Sequence, residues 1–180
     1  SHMGYVLMGI ATLEPLGVSG AVLQMFSHGI MTALFFALVG AIYDRTHIRD
    51  ITILEGLGKK MGVTAAFFGI AGLTSLGLPG LSGFIAELLV FIGLFRTYPV
   101  LAILGIIGAA ITAIYILRLL GKVFFGPISK EWDHLSDLSK TEGFAAAILV
   151  LFLVGIGLYP LPIMQMINSG VATLLVRVLG

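Results

Sequence analysis

Apolar runs long enough to cross a bilayer alternate along this chain with short polar connections. The first run, residues 3–13, is too short for a crossing, which needs about 20 residues. It reads as a partial span, as if the chain began part-way through a helix. A full span follows over about 18–43. Next comes a polar connection from Asp44 to Lys60 that holds Arg45, His47, Arg49, Asp50, Glu55 and Lys59. Spans are expected at about 61–77 and 82–95, separated by the interruption Leu76-Gly-Leu-Pro-Gly80, with the backbone departing from helix between Gly77 and Gly83. After the turn Arg96-Thr-Tyr-Pro99, a long apolar run covers 100–125. A polar loop then leads to a span at 142–158, ended by Pro160 and Pro162. In the tail, Ile163, Ile167, Val171, Leu174 and Val178 fall on one helical face. The segment 161–180 therefore reads as an amphipathic helix, interfacial or packed rather than lipid-facing. The pattern predicts an all-α polytopic membrane helix bundle over residues 1–160, with five spans and a partial one, followed by that amphipathic helix.

Composition supports this reading. Of 180 residues, 58% are hydrophobic and 11% charged, with a mean hydropathy of +1.10, whereas a soluble domain carries about 25% charge. The absence of cysteine excludes thiolate metal sites, iron–sulfur ligation and disulfides. A net charge of +1 leaves no electrostatic footprint for nucleic acid. The 24 glycines suit close helix packing. The sequence contains no P-loop, nucleophile elbow, haem motif or metal-ligand cluster, and four scattered histidines do not make a metal site. No cofactor is expected in this chain, and the lipid bilayer is its first partner.

The candidate chemistry lies where ionisable residues interrupt apolar runs. Glu87 stands in Leu81-Ser-Gly-Phe-Ile-Ala-Glu-Leu-Leu-Val90, directly after the break. A carboxylate at membrane depth costs roughly 2.5–3.5 kcal/mol on insertion scales and so points to ion or proton handling. A broken helix beside it is the way transporters build ion sites. His28 falls near the middle of its span. Gln24, His28 and Thr32, spaced by four, form one polar stripe suited to a bundle interior or a water file. The competing reading makes His28 a structural residue that joins helices through hydrogen bonds. Thr112, Tyr115, Leu119 and Lys122 share a face near Arg118, either as an interfacial anchor or as a channel lining. Trp132 and His134 are expected at headgroups or partners, the Asp44–Asp50 charges at a solvated helix end, and Glu14 in an exposed turn.

Four segments occur in order: Ser1-His-Met-Gly-Tyr-Val-Leu-Met-Gly-Ile10, Gly20-Ala-Val-Leu-Gln-Met-Phe-Ser-His-Gly29, Tyr43-Asp-Arg-Thr-His-Ile-Arg-Asp50 and Leu78-Pro-Gly-Leu-Ser-Gly-Phe-Ile-Ala-Glu87. Together they resemble the antiporter-like proton-pumping subunits of respiratory complex I, of the NADH–quinone oxidoreductase subunit M (mitochondrial subunit 4) type. That resemblance implies fourteen membrane helices with two inverted five-helix repeats, each built around a discontinuous helix, of which this chain would be the last five and a half. It implies a midplane line of ionisable residues in which His2, native rather than a tag remnant, joins His28 and Glu87. Gln24, Thr32 and Tyr115 would be supporting polar groups. Related subunits carry lysine where Glu87 stands. The family's first repeat, with its glutamate–lysine pair, is absent from these residues. The function implied is proton translocation, coupled to quinone reduction elsewhere in the complex, beside other membrane subunits in a bacterial plasma membrane. The alternatives are a subunit of a multi-subunit sodium/proton antiporter or membrane-bound hydrogenase, or a non-catalytic assembly fragment.

Overall fold

The computed structural model describes residues 1–128 and 130–179. Seven α-helices carry the fold: α1 His2–Ala11, α2 Pro15–Thr46, α3 Gly62–Ser75, α4 Ser82–Thr97, α5 Pro99–Phe124, α6 Lys140–Leu158 and α7 Leu161–Leu179. No strand occurs among the described residues. Helices α2, α5, α6 and α7 are each long and apolar enough to cross a membrane. The chain is an all-α, multi-pass membrane bundle.

Helix α2 starts where Pro15 takes the first helical position and Glu14 caps it, its carboxylate accepting from the amides of Leu16 and Gly17 at 3.0 and 3.1 Å. The other Glu14 oxygen pairs with Arg96 at 3.2 Å. Glu14 is thus a half-buried cap that ties α2 to the end of α4, not the exposed turn residue expected. Against α4, the α2 backbone comes so close that a side-chain carbon at Gly20 would lie 2.6 Å from the Val90 amide nitrogen.

Helices α3 and α4 lie in series. Phe35 and Ser27 of α2 meet Phe68 of α3 and Ser82 of α4 in that order, and further back Gly20 meets Val90. On α5, Gly105 approaches Phe91 of α4, and Ile116 and Leu120 approach Gly72 of α3. Both neighbours therefore run antiparallel to one continuous path. Segments 61–77 and 82–95, read above as two spans, are the two halves of a single discontinuous crossing. The non-helical stretch is shorter than expected, since α4 resumes at Ser82.

The polar loop before α6 folds back over the bundle. Trp132 and Leu135 are buried in the main apolar core with Leu34, Leu38, Met61 and Phe68. Trp132 is therefore not a headgroup contact, because this loop closes one end of the core, whereas His134 is exposed. Met61 offers no side-chain cap to α3, and Asp137 supplies one from the loop. The Asp137 carboxylate accepts from the amides of Val63, Thr64 and Leu138 at 2.7, 3.1 and 2.8 Å and from the Thr64 hydroxyl at 2.7 Å. Partial burial raises its pKa, but those hydrogen bonds outweigh the burial and hold it below the ordinary aspartate value. Arg45 is likewise not a solvated charge. It binds Glu142 through two hydrogen bonds of 3.1 and 2.7 Å and donates to the carbonyls of Ala41 and Asp137.

Helix α7 buries Ile167, Val171 and Leu175 against Val18 and Leu23 of α2 and Ala86 of α4. Leu174 and Val178, placed above on the packed face, are exposed at 53% and 60%. The packed stripe follows strict four-residue steps from Ile163 to Leu175, a register that the 3.6-residue period does not settle alone.

Candidate functional site

Proline chemistry at the break creates the site. Helix α3 ends in paired reverse hydrogen bonds, Gly77 N–H to the Thr74 carbonyl at 3.1 Å and Leu78 N–H to the Leu73 carbonyl at 3.0 Å. This motif needs a left-handed residue, and Gly77 supplies it at φ +65°. In an uninterrupted helix the Ser75 carbonyl would accept from the amide of residue 79. That residue is Pro79, which has none. The freed carbonyl lies 3.2 Å from Nε2 of His2, and the Ser75 hydroxyl lies 3.5 Å from the same nitrogen. Because a carbonyl only accepts, the contact places a proton on His2 Nε2.

Glu87 sits in the second turn of α4 and reaches back to the break. One carboxylate oxygen lies 3.6 Å from His2 Nε2, and the other packs so tightly on Gly77 that a side-chain carbon there would be 2.6 Å away. Both residues are buried, at 8% and 7% exposure. The His28 ring, on α2, stands 5.2 Å from the His2 ring, centroid to centroid, at an interplanar angle of 38°. Tyr5 adds an edge contact to His2 at 5.8 Å and to Phe91 at 5.4 Å. A hydrogen bond of 2.7 Å between Ser27 and Ser82 ties α2 to the first residue of α4.

The structure thus brings His2, His28 and Glu87 together from α1, α2 and α4 at the broken crossing. Gln24, one turn from His28, is buried at 2%. Two buried polar atoms, Gln24 Oε1 and His28 Nδ1, make no hydrogen bond among the described residues. Both can bond to water, and the His28 nitrogen can also take up a proton. Thr32 does not join the group, because its hydroxyl donates back to the carbonyls of His28 and Gly29 in its own helix. Tyr115 does not join either. It is 47% exposed on α5 and borders a surface hollow with Arg118 and Lys122. Sequence reasoning missed Ser75, Tyr5 and the Ser27–Ser82 link. Of these, Ser75 had a readable signal in its position four residues before Pro79. Among the described residues no group of three or more His, Cys, Asp or Glu is placed to hold a metal ion.

A bundle of membrane-crossing helices, one of them broken beside buried ionisable side chains, has the architecture of ion-translocating membrane proteins. The chain belongs to the NADH:quinone oxidoreductase/Mrp antiporter transmembrane family, whose model matches residues 1–112. It is 46% identical over 170 residues to NAD(P)H-quinone oxidoreductase chain 4 2 of Synechococcus sp. (strain JA-3-3Ab), covering 89% of this chain and 32% of that protein. It is 42% identical over 178 residues to NADH-quinone oxidoreductase subunit M of Rickettsia conorii, covering 98% and 36%. Among solved structures, a chain of respiratory complex I from Thermus thermophilus with bound NADH superimposes with a TM-score of 0.91 at 30% identity, covering 100% of this chain and 38% of that one. The chain spans about a third of the length of the curated relatives it matches.

Proposed function

We propose that these residues form a proton-transfer unit of a membrane subunit of a proton-translocating NADH:quinone oxidoreductase, in which His28, His2 and Glu87 pass protons across the interrupted crossing. The observation that carries this reading is the meeting of the three ionisable side chains, from three different helices, at the end of α3. Imidazole both accepts and passes a proton near neutral pH. The His2 N–H rests on the Ser75 carbonyl, and a movement of about 0.8 Å toward Glu87 brings the 3.6 Å gap to hydrogen-bond distance. Ser75 thus holds that proton in readiness; once His2 gains a second proton on its other ring nitrogen from the His28 side, Glu87 accepts the Nε2 proton when the helix end shifts, and His2 returns to its neutral form. On the other side, the His28 ring, 5.2 Å from the His2 ring centroid to centroid, is the neighbouring group that would reload His2 through bridging water. The break is only partly covered among the described residues, since Leu78 is 44% exposed and Pro79 is exposed, while Ser75 and Gly77 turn inward to His2 and Glu87.

In this reading quinone reduction and its redox cofactors belong to other subunits of a complex in a bacterial plasma membrane. The neighbours of this chain are other membrane subunits. Because the family model is shared with Mrp antiporters, a sodium/proton exchanger is the second reading. Sodium-stimulated transport without NADH oxidation would favour it. The test of the first reading is Glu87→Gln in the complete protein, reconstituted in vesicles with assembly measured separately. The amide keeps size and polarity but cannot exchange a proton, so NADH-driven pumping is lost or severely reduced. Wild-type pumping by the assembled variant refutes the proposal and leaves an assembly role.

A further inference from the structure

We infer that the end of the bundle where α2 and α5 finish holds a site for one anionic phospholipid. A crevice of about 160 Å³ opens there. Ile42, Leu54, Phe68 and Val123 form its buried floor, and Val39 and Ile51 stand at its rim, 43% and 44% exposed. Among the described residues Arg49 is the one charged residue that lines the crevice, and its guanidinium lies 4.4 Å above the Tyr43 ring. A second hollow shares Ile51 and Leu119 with the crevice and adds Arg118 and Lys122. The apolar slot and the basic hollow therefore adjoin across Ile51 and Leu119.

Among the described residues no salt bridge occupies Arg49, Arg118 or Lys122. Asp50 lies within electrostatic reach of Lys122. The occupant follows from this pairing of charge and apolar space on one membrane helix. The α5 face around Arg118 exposes Ile111, Ile114 and Leu117 among the described residues, an apolar surface suited to acyl chains. Its basic residues stand near the helix end, at the level of headgroups. Simple snorkelling needs no cavity, whereas a phosphate held by Arg118 and Lys122 with the start of its acyl chain in the crevice uses both features.

The test takes the full-length protein in its complex, delipidated in detergent and titrated by native mass spectrometry with phosphatidylglycerol and, separately, phosphatidylcholine. The wild type retains phosphatidylglycerol at least tenfold better. In R118Q/K122Q that retention falls by roughly fivefold for each charge removed, about 25-fold together, while R118K/K122R keeps it. V39F fills the rim and lowers retention with every charge intact. If R118Q/K122Q does not assemble, V39F decides alone. Equal retention of the two lipids by the wild type, unchanged phosphatidylglycerol binding in R118Q/K122Q or V39F, or shielding of the R118C variant from a thiol reagent by a neighbouring subunit in the delipidated complex would each overturn the inference.

Discussion

A methyl group placed at Gly77 moves Glu87 without altering its chemistry. The new Cβ would stand 2.6 Å from the nearer Glu87 oxygen, and ordinary contact begins near 3.4 Å, so the carboxylate retreats by about 0.8 Å. That displacement is as large as the movement that brings Glu87 within hydrogen-bonding distance of His2. Gly77 also has φ +65°, where a side chain costs about 1–2 kcal/mol. Strain alone would then lower stability and assembly without touching the site. Gly80 separates the two effects. Its φ is +95°, so alanine there is strained as well, but the nearest atom to a new Cβ is a Leu158 methyl at 3.8 Å. Since misplacement by about 1 Å can cost 100-fold in a transfer step, we expect G77A to pump at least about tenfold more slowly per assembled complex. G80A should pump at the wild-type rate per assembled complex. The assay is acidification of reconstituted vesicles under NADH oxidation, normalised to complex quantified on native gels. Wild-type pumping by G77A, or equal normalised losses in both variants, would refute the reasoning.

His28→Ala lowers turnover without preventing membrane insertion, because removal of a midplane polar group makes insertion easier. If the loss of activity matches the loss of assembled complex, His28 is a packing residue. Asp137→Ala removes the cap of α3 and lowers thermal stability by about 1–2 kcal/mol, read as a drop in melting temperature of the detergent-solubilised protein. The folded Asp137 carboxyl titrates below its ordinary value of 3.8, so its stabilisation is complete above that pH and is lost as pH falls through the lower folded value. The melting temperatures of wild type and D137A therefore converge in acid, and a constant gap below pH 3.8 would contradict the cap.

The apolar runs were enough to place α2, α5 and α6 and to mark Glu87 as out of keeping with its surroundings. They could not show that α3 and α4 share one crossing, because each run looks like a short span until Phe35, Ser27 and Gly20 of α2 are seen to meet both halves in turn. The register of α7 was ambiguous for a similar reason, with Leu174 and Leu175 both plausible continuations of one stripe. Trp132 read as a headgroup or partner contact and Arg45 as a solvated charge, since a polar loop says nothing about whether it folds back onto a core. His2 was marked only by family resemblance, and its pairing with Ser75 depends on a carbonyl left free by a proline four residues later. Long-range partnerships of this kind leave no period in the sequence, whereas the proline does leave a local trace.

The central claim is that His2 and Glu87 act in series on one proton path, and a double-variant cycle tests it most directly. His2→Gln and Glu87→Asp are made singly and together in the complete protein, and NADH-driven pumping is measured per assembled complex. Groups that act as a unit show strongly non-additive losses. The account predicts that the double variant pumps no more slowly than the slower single variant. Losses that multiply, as for two independent sites, would contradict it.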